Sequence, residues 1–160
     1  MRSKSKFSLA YKDETLVELV NTTGHKVLAM WAIECAERVL PFFEQAYPND
    51  LRPRQALETL RAWIDTGVFK MAVIRGASLA SHAAAREVGE DSAARSVARA
   101  AGQAVATAHV PTHSIAAANY ALQAVHRATE PSEADAAVAK EREWQYRRLV
   151  ELGGSYDKRG

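Results

Sequence analysis

Between Ser81 and Asn119 the chain reads SHAAAREVGEDSAARSVARAAGQAVATAHVPTHSIAAAN, a stretch dominated by alanine in which histidine recurs beside apolar stripes. No other feature limits the fold so severely. Alanine lets helix axes approach to the lower end of the roughly 8–10 Å packing range, so an imidazole or guanidinium enclosed there has little room and needs a partner. The expectation is closely packed helices with a few costly polar groups inside, among them His82, His109 and His113.

Punctuation along the chain supports an all-α, single-domain bundle of about six to seven helices, and no strand pattern competes with it. A short helix is expected over Asp13–Val20, followed after Thr22-Thr23-Gly24 by a long one from near His25, with Thr23 as its cap. From Val27 to Leu40 that helix is apolar on most sides, with Glu34 and Arg38 as a polar ridge, which places it centrally; Pro41 kinks it or opens a new turn. Asn49 or Asp50 caps a third helix with Pro53 in its first turn, Leu57, Leu60 and Ile64 facing inward with Trp63 beside them, and Gly67 at its end. A fourth runs from about Val68 to Val88 with Met71, Ile74, Ser78, His82 and Ala85 inward and Gly89 as its stop. Asp91 or Ser92 caps a fifth, which buries Val97, Ala101, Val105 and Ala108 and is interrupted by Pro111. Thr112 caps a sixth through Ala128. A last helix starts at Pro131 and Ser132 and ends near Leu152, before Gly153-Gly154. The domain reading is thus a basic, flexible arm over 1–12, a helical domain over 13–152 and a flexible tail over 153–160.

Composition narrows the function classes. The formal charge of +2 over 160 residues is mixed almost everywhere, so nucleic-acid binding, which needs several cations on one face with stacking aromatics, is disfavoured. The arm bearing Arg2, Lys4 and Lys6 and the segment Lys140–Arg148 are the two local basic excesses. The single cysteine, Cys35, lies among Trp31, Ala32, Val39 and Phe42 and reads as a buried thiol in a reducing compartment. Without a signal-peptide pattern or a long apolar span, the expected location is cytoplasmic, with no membrane partner.

Three constellations carry possible chemistry. His109 and His113 stand four apart, the spacing that places two imidazoles on one helical face for a metal such as zinc, although Pro111 lies between them and a third ligand would have to come from His82, Glu37 or His126. His82 and Arg86, also four apart, form either a buried ion-pair site closed by Glu37 or Glu34 or an anion-recognising pocket. Arg52 and Arg54 bracket Pro53 at a helix entrance and can hold a carboxylate or phosphate; the competing reading is a salt-bridged entrance using Asp50 and Glu58. Nucleophilic catalysis finds no motif, and no cofactor is expected.

The segments HKVLAMWAIECAERVLPFFEQAYPNDLRPRQALETLRAW, SHAAAREV, ARAAGQAVATAHVPTH and AAANYALQAV together resemble the small, all-helical, alanine-rich immunity proteins of bacterial polymorphic-toxin systems, over about residues 25–127. The resemblance implies a soluble binding protein whose partner is a cognate toxin. Two alternatives come from the residues alone: a metal-dependent helical-bundle enzyme using His82, His109 and His113, and a structural homo-oligomer subunit closing an exposed patch near Trp144 and Tyr146.

Overall fold

A computed structural model describes residues 6–157; the expectations for Arg2, Lys4 and the last three residues fall outside them. Seven helices are present and no strand occurs among the described residues: α1 (Glu14–Asn21), α2 (His25–Glu44), α3 (Arg52–Thr66), α4 (Met71–Val88), α5 (Ala93–Ala106), α6 (His113–Ala128) and α7 (Ala134–Asp157). The all-α single-domain expectation holds.

Local chemistry explains most boundaries. Asp13 caps α1 by accepting from the Leu16 amide at 3.1 Å, and Ser92 does the same for α5 through the Arg95 amide at 3.3 Å. Gly67 and Gly89 end α3 and α4 at φ 71° and 75°, the left-handed backbone in which a Cβ is strained. Asp50 lies one residue ahead of the cap position but still accepts from the Arg52 amide at 3.1 Å.

Several boundaries differ from the sequence reading. Thr23 does not cap α2: its hydroxyl donates back to the Leu19 carbonyl at 2.6 Å and closes the end of α1, and Gly24 occupies the cap position. Pro41 neither breaks α2 nor starts a turn; it sits on the exposed face, where the carbonyl it leaves unpaired can be hydrated, and Gln45 donates to the Pro41 carbonyl as the helix continues. Thr112 holds the cap position of α6 without a side-chain hydrogen bond. Helix α4 starts at Met71, leaving that side chain 44 % exposed at the helix lip instead of inward. The last helix starts at Ala134, and its backbone continues through Gly153 to Asp157.

Two helices share the centre. Helix α2 touches α3, α5, α6 and α7 and buries Trp31, Ile33, Cys35, Val39 and Phe43. Helix α5 touches α2, α3, α4 and α6, and its buried side chains are almost all small: Ala94, Ala98, Ala101, Ala104, Val97 and Val105. Small residues on α5 let four neighbours pack against one rod, while the bulk on α2 fills the remaining space. Burial raises the Cys35 thiol well above its ordinary range, as Glu141 and Glu34 also do, so it is an inert core group.

Candidate functional site

Where α4 crosses α5, the expected polar groups meet, with different partners from those anticipated. His82 of α4 lies with its ring over Gly102 of α5, so close that a Cβ at Gly102 would stand 2.7 Å from Nε2 and 2.9 Å from Cδ2. Its Nδ1 is 2.8 Å from Nη1 of Arg99. A guanidinium only donates, so Nδ1 is the acceptor and the neutral ring carries its proton on Nε2. Ser78 and Ser81 tie the same two helices together by donating to the Gly102 and Ala98 carbonyls at 2.9 and 2.7 Å. One turn along α5, Gln103 Oε1 is 2.8 Å from His113 Nδ1.

This seam is cationic and holds no carboxylate among its partners. Burial first, then the charges of Arg99, Arg86 and His113, push His82 down to about 4; burial and His109 lower His113. Neither Glu34 nor Glu37 closes the site, contrary to expectation. Glu34 pairs with Arg148 at 2.7 Å and holds α2 against α7, whereas Glu37 faces Arg61 at 3.4 Å. Arg86 is exposed. The buried ion pair expected at His82 and Arg86 is absent because α5 intervenes with Arg99 and Gly102, and spacing within α4 carries no information about that neighbour.

On the outer side of the seam, Arg75, Leu79, His82 and Arg86 follow one another at steps of four, three and four along α4, which places them on one stripe. Leu79 is 55 % exposed at its middle. Among the described residues Arg75, Arg86 and Arg99 form no ion pair. The one acid within α4, Glu87, is held by Arg52.

The histidine pair does not share a helical face. Helix α5 ends at Ala106 and α6 begins at His113, with Pro111 in the connection; His109 is exposed and stacks on Phe69 at 6.1 Å. His126, buried against Phe7, lies thirteen residues beyond His113 on α6, about 20 Å away along the axis. No group of three or more His, Cys, Asp or Glu among the described residues is arranged to hold a metal ion.

The Arg52–Arg54 loop has the geometry of a salt-bridged helix entrance. Arg52 is clamped by Asp50 at 2.7 and 2.9 Å and by Glu87 at 2.5 Å, while Arg54 takes Glu44 at 2.5 and 2.6 Å rather than Glu58. Those contacts raise both guanidiniums and lower Asp50 and Glu44. Arg52 also lines one end of a groove between α3 and α4, together with Gln55, Thr59, Ala77 and Ala80. Near the alternative oligomer patch, Trp144 is half-buried under the Arg38 guanidinium, 3.9 Å from its ring, and Tyr146 is exposed.

The class defined by this architecture is a small all-α domain with an alanine-packed centre and an arginine-bearing outer face on α4. Within that class, the family model described as Imm-5 like putative immunity protein matches residues 18–152, and the chain belongs to this family. No curated protein and no solved structure matches it. No helix among the described residues is long and apolar enough to cross a membrane.

Proposed function

We propose that the chain is a cytoplasmic immunity protein that neutralises a cognate bacterial toxin by binding it, and that the outer face of α4 with the adjoining edge of α5 is the contact surface. One observation carries the choice of surface. Arg75 and Arg86 lie on the same stripe of α4 as the exposed Leu79, and neither they nor Arg99 on the adjoining α5 forms an ion pair among the described residues, whereas most of the other described arginines are paired. Unneutralised guanidiniums beside a protruding apolar side chain have the composition of an interface centre, and they select an acidic partner. Arg52 extends the surface at the end of the α3–α4 groove, where its bonds to Asp50 and Glu87 present it in a fixed orientation.

The test uses the full chain as bait in cells that express it natively, beside an Arg75→Glu/Arg86→Glu variant. The reading expects one dedicated acidic protein on the parent, captured at least about tenfold less by the variant, with an unchanged melting temperature. Capture that is equal for both proteins, or no dedicated partner at all, contradicts it.

A further inference from the structure

A second site lies away from α4 and α5 and rests on no reading of the toxin-binding face. Residues Leu9–Lys12 close over α1, α6 and α7 to leave a half-enclosed cavity of about 310 Å³, with Leu16, Ile115 and Leu122 among its apolar walls. Its polar lining is Lys12, Asp13, Asn119, Arg142 and Gln145; the one acid among them, Asp13, already accepts from the Leu16 amide, and the two cations leave the lining net positive.

Gln145 is the unusual one. It is 1 % exposed; its backbone carbonyl accepts from Trp31 Nε1 at 2.8 Å, and its Nε2 donates to the Ala118 carbonyl at 3.0 Å. The second bond fixes the sense of the amide, because only the nitrogen can face a carbonyl. Its Oε1 is left as the one buried side-chain polar atom among the described residues with no hydrogen-bond partner. An orphaned buried acceptor costs on the order of 1–3 kcal/mol, and such atoms are rare enough to call for an occupant. Asn119, next in sequence to the carbonyl that takes Nε2, is partly exposed, and its side chain has no hydrogen bond among the described residues. Three residues before Gln145, on the same side of α7, Arg142 stacks on Tyr11 at 4.6 Å and forms no ion pair among the described residues. It also lines two neighbouring cavities, which places it at their junction.

An apolar cavity of this size with a few convergent polar groups is the usual build of a small-molecule site. We infer that it binds a short aryl or alkyl carboxylate bearing a hydroxyl or amide N–H: the donor satisfies Gln145 Oε1, the body packs on Leu16, Ile115 and Leu122, and the carboxylate pairs with Arg142. Tyr11 covers the bound molecule, and Asn119 offers it a second polar contact.

Backbone-amide NMR of the full chain tests this, with 4-hydroxyphenylacetate, 4-hydroxybenzoate and 6-hydroxyhexanoate as probes. At least one should give saturable shifts centred on Leu16, Ile115, Asn119 and Gln145. Its analogue lacking the hydroxyl should bind about tenfold more weakly, and so should the parent probe on Arg142→Gln, whose fold is checked by its unchanged amide spectrum elsewhere. No saturable shift with any probe, or equal affinity for the analogue and for the variant, overturns the assignment and leaves a water-filled crevice only. The site shares no residue with the α4 surface, so its failure leaves the toxin-binding reading standing.

Discussion

Replacing Gly102 by alanine isolates the packing logic of the α4–α5 seam. In an exposed helix interior this change stabilises by about 1 kcal/mol, because alanine restricts the unfolded chain and favours the helix. At Gly102 the new methyl would lie 2.7–2.9 Å from three atoms of the His82 ring, well inside contact distance. The ring cannot yield freely, since Arg99 holds its Nδ1 at 2.8 Å. Overpacking of this kind costs about 1–3 kcal/mol, and loss of the Arg99–His82 bond adds about 1 kcal/mol. Set against the helix gain, the net is a destabilisation of about 2 kcal/mol, or about 4–8 °C in melting temperature for a domain of this length. Thermal unfolding by circular dichroism reads it. The double variant Gly102→Ala/His82→Ala should recover part of the loss, because the clash goes with the ring. A Gly102→Ala protein as stable as the parent, or more stable, refutes the account of why glycine stands there.

The remaining predictions concern charge and reactivity. His82 is held at about 4 and His113 is lowered, so between roughly pH 4 and 6.5 the unfolded chain binds protons that the folded one refuses. Stability is therefore full above about pH 6.5 and falls as pH drops through that window, and His82→Gln should flatten the decline in a pH series of melting temperatures. Cys35, buried and with its thiol pushed up, should resist iodoacetamide at pH 8 in the native protein and react stoichiometrically in denaturant, as counted by mass spectrometry. Glu34→Gln should cost about 0.5–1 kcal/mol in denaturant unfolding, less at high salt, because its pair with Arg148 is half-buried. Arg52→Glu, which would place a third carboxylate between Asp50 and Glu87, should lower the melting temperature by a few degrees in addition to any effect on binding.

Helix content was legible in the sequence because caps and stops are local. Ser92, Gly67 and Gly89 act through atoms within a few residues, and each does what its type and position imply, while Asp13, expected as the first helical residue, is the cap just outside α1. The threonines misled because a hydroxyl can bond backward as well as forward; Thr23 closes the preceding helix instead of opening the next. Site residues were half legible. The importance of His82 followed from its place on an inward stripe, but its partners Arg99 and Gly102 come from α5, and nothing in the spacing of α4 says which neighbour will cross it. The acids assigned to it, Glu34 and Glu37, face α7 and α3 for the same reason. Gly102, an interruption in an alanine run, was the signal that could have identified the crossing, since glycine inside a helix marks close approach. Gln145 gave no sign, being one polar residue in a charged helix.

Hydrogen exchange on the purified protein, alone and with its captured partner, addresses the central claim most directly. The account predicts new protection concentrated in Met71–Val88 and the adjoining Arg99–Gln103 turn, lost together with binding in Arg75→Glu/Arg86→Glu. Protection confined to α2, α6 or α7, with α4 exchanging as in the free protein, contradicts it.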